Sequence, residues 1–186
     1  MMNPQITVEA DGENWFLELE PNRLHHSRFT QEHHFPLHTH PAYHLILVDR
    51  RGCTLHIPQL TPVECPVRSL LLLNPEVPHR FTFGARDCEH SSFIWRFRSR
   101  DGRYWLKPLQ LLDGRREEPP RPYLLKVLSP VQASAYMRMH REAESYLHAR
   151  SGFVTSLKLF RLWTLGMELL SEDYWMHEVI SSDSGD

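Results

Sequence analysis

Two stretches of this 186-residue chain concentrate side chains able to bind or ligate: His38-Thr39-His40-Pro41-Ala42-Tyr43-His44, and Leu73-Asn74-Pro75-Glu76-Val77-Pro78-His79. Neutral imidazole is both a metal ligand and a hydrogen-bonding group, so four such rings can hold an ion or a polar organic molecule. Side chains alternate faces along a strand. His38 and His40 therefore share a face, and His44 joins them if the strand resumes after Pro41 without a bulge. His79 comes from a different strand, after a turn built by Pro75 and Pro78. Two ligands from one strand and one or two more can close an N-rich tetrahedral or octahedral site for Zn, Ni or Fe. The metal expectation is Zn or Ni at His38, His40 and His79, with His44 as fourth ligand; no cofactor is required. For an organic ligand the expected lining is the same four histidines, with Trp15, Tyr43 and Trp95 as stacking walls suited to a sugar-like or flat molecule. Tyr43 adjoins His44 and should face away from it on a regular strand, so it ranks below the histidines. The plain alternative for each aromatic is a place in the core.

The chain holds 13 histidines. His25-His26 and His33-His34 are adjacent pairs, so each can present at most one ring to a given pocket. The ordinary role for any one of these rings is an exposed or hydrogen-bonded imidazole.

The elements that must position these residues are short strands. Trp15–Glu20, Tyr43–Val48, Thr54–Ile57, Ser69–Leu73, Arg80–Phe83 and Ser92–Phe97 are rich in β-formers and bounded by Gly, Pro, Asp or Asn. Their spacing predicts a β-sandwich or barrel. In Phe93-Ile94-Trp95-Arg96-Phe97-Arg98 the alternation predicts one buried and one solvated face. Asp113–Pro122 reads as an exposed charged loop and Tyr123–Leu128 as a further strand.

After Leu128 the period changes. Ser129-Pro130-Val131-Gln132 is a helix start, with Ser as N-cap, Pro at the first helical position and Gln closing a capping box. A helix is expected from about Pro130 to Arg150, ended by a left-handed Gly152, and a second from Phe153 to His177. The second carries one apolar stripe of Phe153, Leu157, Phe160, Trp163, Met167, Leu170 and Tyr174, and another of Leu159, Leu162, Leu165 and Leu169. One stripe buries the helix against a barrel; the other is left for the first helix or a partner subunit.

A formal charge of −2 offers no broad attraction for nucleic acid. No apolar run approaches the roughly 20 residues of a spanning helix. The N-terminus lacks the features of a signal peptide, and Cys53, Cys65 and Cys88 are odd in number and unpaired as CxxC, so a cytoplasmic location with buried free thiols is expected.

The motifs resemble the cupin superfamily, in which HxH, an acidic residue four positions later, a glycine turn and a second Pro-rich segment ending in His bring three histidines and a glutamate to one metal. His38, His40 and His79 match the histidines. His44 stands where the glutamate would be, Gly52 falls one residue late, and Arg68 replaces the usual glycine. Within cupins the chain is similar to the ligand-binding and dimerisation domain of the arabinose-operon regulator (AraC) family of transcription factors. His38–Leu45, Leu73–His79 and Phe93–Phe97 carry that resemblance.

The resemblance implies a mainly β protein with C-terminal helices: a cupin-like β-barrel (double-stranded β-helix or jelly roll) over 1–128, followed by a two-helix antiparallel hairpin for dimerisation over 129–178 and a linker or tail over 179–186. Residues 1–13 would be an N-terminal arm. The function implied is non-enzymatic sensing of a small-molecule effector in the barrel, with homodimerisation through the C-terminal helices. DNA would be reached only through helix-turn-helix units, which are absent from this chain. The runner-up is a stand-alone metal-dependent cupin enzyme acting on a small organic substrate, which the missing glutamate weakens.

Overall fold

The computed structural model describes residues 6–84, 87–109, 121–147 and 152–182, with the side chains of all but 20–23 and 172–182 among them. Ten strands precede two helices: β1 (Thr7–Ala10), β2 (Glu13–Phe29), β3 (His33–His34), β4 (Tyr43–Arg50), β5 (Cys53–His56), β6 (Val63–Cys65), β7 (Ser69–Leu73), β8 (Arg80–Phe83), β9 (Cys88–Ser99), β10 (Tyr123–Val127), α1 (Pro130–Tyr146) and α2 (Gly152–Ser182). They form a six-stranded sheet ordered β1-β2-β9-β4-β7-β10 and a four-stranded sheet ordered β3-β8-β5-β6. All the strand pairings are antiparallel.

The large sheet is apolar on both faces because alternate residues serve different cores. Tyr43, Leu45, Leu47, Leu70, Leu72, Phe93 and Trp95 join Tyr136, Leu159 and Leu162 of the helices. Their neighbours Ile46, Val48, Leu71 and Leu73 join Leu55, Phe81 and Phe83 of the small sheet. The expectation of one solvated face on β9 therefore holds only at its far end: Ile94 is buried and Arg98 exposed. Gly166 brings α2 onto the sheet, since a Cβ there would lie 2.7 Å from Leu45 Cδ2.

The chain passes from large to small sheet at Arg51, with φ +57°, and back at Arg68, with φ +71°. Left-handed backbone is what glycine tolerates best. Arginine occupies both turns, while Gly52 serves a different need: a Cβ on it would meet the Cys65 carbonyl oxygen at 3.0 Å.

The helix start is as read, with Gln132 N–H donating to Ser129 Oγ (3.2 Å) and Ser129 N–H donating to Gln132 Oε1 (3.0 Å). The helix end differs. α1 stops at Tyr146, and Gly152 opens α2 rather than capping α1. α2 continues through Ser182, past the expected boundary at His177 and into the expected tail. Residues 183–186, and most of the expected 113–122 loop, lie outside the described residues. Of the two stripes on α2, Leu159, Leu162 and Leu169 face the sheet, whereas Phe153 is 46% and Leu157 37% exposed. Residues 7–10 of the expected arm form edge strand β1, paired with β2 from Thr7↔Phe16 to Ala10↔Glu13. The three cysteines are free and buried. Among the described residues, no helix is long and apolar enough to cross a membrane.

Candidate ligand-binding cavity

The histidines are brought together by backbone pairing. His38 and His79 form an antiparallel bridge, His38 N–H donating to His79 O (3.0 Å) and His79 N–H to His38 O (2.9 Å). Glu76, at φ +61° between the two prolines, donates its N–H to His40 O (2.8 Å). Asn74 anchors the same turn by donating from Nδ2 to Arg121 O (2.8 Å) and accepting at Oδ1 from Leu109 N–H (2.9 Å). His44 projects from β4 toward the same space.

The rings pack as a group. Centroid separations are 4.5 Å for His38–His79, 4.8 Å for His38–His40, 5.1 Å for His40–His44, 5.4 Å for His40–His79 and 6.2 Å for His44–His79. His38 Nδ1 donates to Pro36 O and His79 Nδ1 to Val77 O, each at 2.8 Å. A proton fixed on Nδ1 leaves Nε2 with its lone pair, the form in which imidazole ligates a metal. His79 Nε2 is buried without a partner. One ligating atom from each of His38, His40 and His79 lies within 4.8 Å of the others, so this donor set fits an ion that favours nitrogen. His44 Nε2 instead shares a 2.5 Å hydrogen bond with Ser92 Oγ.

Burial keeps His79 and His44 neutral. It pushes His79 down to about 4 against the opposing hydrogen bond to Val77 O. His44 falls well below the usual imidazole range through burial first, then through the neighbouring His40 and His79.

His38, His40 and His44, with His79 packed against them, open onto a cavity of about 320 Å³ between the sheets, lined also by His25, Phe35, Ile46, Phe81, Phe83, His90 and Ile94. Sequence reasoning missed those seven. One signal was available: His25 is the single ring that its pair can present to the interior. His90 comes from β9 of the large sheet, and only sheet register reveals it. Burial holds His90 down at about 4.

Trp15, Tyr43 and Trp95 do not join the histidines. Strand alternation places all three in the core beneath the helices. Trp15 Nε1 donates to Ala10 O (3.1 Å), Tyr43 Oη donates to Lys107 O (2.8 Å), and Tyr43 stacks on Trp95 with centroids 5.7 Å apart. A second group with metal-ligand chemistry, His26, Asp49 and Glu89, lies on the outer face. Its carboxylates already face guanidinium groups: Arg141 sits 3.8 Å from Asp49, with Arg50 at 3.5 Å and Arg28 at 3.7 Å from Glu89.

Two facing antiparallel sheets enclosing an imidazole-lined cavity, backed by two helices, define a small-molecule-binding barrel of the cupin type. Residues 21–145 match the family described as the AraC-like ligand binding domain, and the chain belongs to that family. No curated protein sequence matches it. Among solved structures it is similar to an apo variant of ToxT from Vibrio cholerae, at 9% identity and a TM-score of 0.53, covering 81% of this chain and 56% of that one. The fatty-acid-bound wild-type ToxT of the same organism gives 12% identity and a TM-score of 0.46, covering 89% and 57%. A cupin with a double-stranded β-helix fold from Methanocaldococcus jannaschii gives 9% identity and a TM-score of 0.29, covering 50% and 80%. The chain thus spans a little over half the length of the ToxT chains, 56% and 57%.

Proposed function

We propose that this ligand-binding domain is the sensory part of a transcription regulator, which takes a small organic effector into the cavity and pairs with a second copy through its helices. The observation that carries the reading is the placement of cavity and helices on opposite faces of one sheet. Occupancy on one face can then bias the disposition of the helices on the other through differential affinity for two conformations. DNA contact would belong to polypeptide beyond residues 1–186. Binding is favoured over catalysis because, among the described residues, the lining includes no carboxylate to act as a base. The exposed Phe153 and Leu157 make the apolar edge that a second copy would cover.

Isothermal titration against a panel of sugars, fatty acids and aromatic compounds, paired with sedimentation, tests this. Saturable 1:1 binding and a dimer that Leu157→Glu converts to monomer are expected. Binding by no panel member, together with a mass that Phe153→Glu and Leu157→Glu leave unchanged, would count against the reading. Leu162 and Leu169 are buried within the subunit, so charges there would test folding instead.

The same donor geometry supports Zn or Ni at His38, His40 and His79, with His44 as a fourth ligand once released from Ser92. A bound ion would supply Lewis acidity and an open coordination position. Elemental analysis of untagged protein after exposure to each metal should return close to one equivalent, and His79→Ala should abolish it. A stoichiometry near zero removes the metal.

A further inference from the structure

The cavity is polar at two ends and apolar between them. His44 and Ile94 are cross-strand partners on β4 and β9, as are Val48 and His90. His90 therefore sits four residues along β9 from the rung of His44, about 13 Å by strand rise. A one-ring molecule with a polar group at each end, together with a hydrogen bond of about 2.8 Å on either side, spans a gap of that order. Ile46, Ile94, Phe81 and Phe83 form the wall between.

Each end holds a buried nitrogen with nothing to bond: His44 Nδ1 and His90 Nδ1. His90 is only 6% exposed and packs against Phe83 (5.3 Å, 21° between planes) and Phe29 (5.5 Å, 13°), which are themselves 4.8 Å apart. Its Nδ1 has no protein partner there, so an arriving ligand group can supply one. An unmet buried polar atom carries a desolvation cost that an arriving ligand group relieves.

Among the described residues, the lining also holds no Lys, Arg, Asp or Glu. In the metal-free cavity a charged ligand would leave water without a counter-ion from these residues, which is strongly unfavourable.

Resting on the reading of the cavity as the effector site, we infer that the effector is a compact, uncharged, one-ring-sized molecule with a hydrogen-bonding group at each end. One end is received by His90 and the other by the His44 group. His90 is the specificity-determining residue, because its unpartnered Nδ1 faces the distal group, with the His25 ring 6.1 Å away beside it.

The test is calorimetric titration of the full chain with three probes of matched size: 4-hydroxybenzyl alcohol, which is neutral and polar at both ends; 4-methylphenol, polar at one; and 4-hydroxybenzoate, which is anionic. The alcohol should bind about tenfold more tightly than either other probe. His90→Phe should bring its affinity down to that of 4-methylphenol while leaving 4-methylphenol itself unchanged, and His90→Gln should restore part of the difference. Tighter binding of the benzoate, indifference to both His90 substitutions, or no binding of the alcohol up to about 10 mM overturns the inference. If a long-chain fatty acid or a sugar then binds the cavity, the effector-sensing reading stands without it. If nothing binds, both fall.

Discussion

The two faces of the large sheet are built from one strand set and behave as different materials. Behind it, Tyr43, Leu45, Leu47, Phe93 and Trp95 interlock with the helices in a core whose side chains are nearly all sealed. In front, the neighbouring positions His44, Ile46, His90 and Ile94 border open volume. The difference teaches that stability and recognition are assigned here by parity along the strand. The rear face holds the domain together, and the front face is free to carry polar groups at some cost in packing.

The sharpest way to break that comparison is to truncate adjacent residues. Leu45→Ala should destabilise by about 4 kcal/mol, because it opens a cavity in a packed core. Ile46→Ala should cost nearer 2 kcal/mol, because the site already borders empty space. Urea denaturation of both variants checks this, and equal losses would mean that the front face is as tightly packed as the rear.

Acid should act on both faces through buried histidines. His90 in front and His140 behind are both held at about 4 by burial, against 6.5 for the free side chain. Above pH 6.5 neither is protonated, folded or unfolded, and stability is flat in these groups. Between 6.5 and 4 the unfolded chain takes up protons that the fold refuses, so stability falls with pH, by on the order of 3 kcal/mol per histidine at the lower limit. Melting temperatures across that window should show the decline. His90→Phe and His140→Phe should each remove part of it, the remainder being carried by His79, also held at about 4, and by His44.

The smallest effect belongs to the turns that join the faces. Arg51→Gly and Arg68→Gly relieve left-handed strain but loosen the unfolded chain, leaving a gain of up to about 1 kcal/mol each. A loss in chemical denaturation would show that the arginine side chains contribute more than the backbone strain costs.

The fold was legible where local chemistry is strong. The capping box at Ser129, the apolar run Ser69–Leu73 and the aromatic alternation of Phe93–Phe97 each specify their element without help. β2 was legible only to Glu20, because Pro21 reads as a break; the chain passes it with a register shift between Leu19 and Leu24 and stays in the sheet. The two-residue β3 and three-residue β6 are too short to show a period. In the cavity, the His38, His40, His44 and His79 group was legible because three of its members lie within seven residues. His90 was not, because sheet pairing rather than spacing brings it near, and for His25-His26 the sequence shows only that one ring of the pair can face inward. Trp15, Tyr43 and Trp95 were misplaced for a related reason: an aromatic in a strand names a buried face without saying which one.

The alternation along β4 and β9 has a consequence for how such a protein can change over generations. Positions 44, 46, 90, 92 and 94 can be rewritten for a new chemical signal while 43, 45, 47, 93 and 95 keep the helices where they are. Ser92 is the exception, for its hydroxyl meets His44 in the cavity and its carbonyl oxygen lies 3.2 Å from His140 Nε2 on α1. That carbonyl belongs to the backbone, so even a replaced side chain leaves the bond to the helix intact. Divergence in what is sensed can therefore proceed without renegotiating how the domain is assembled.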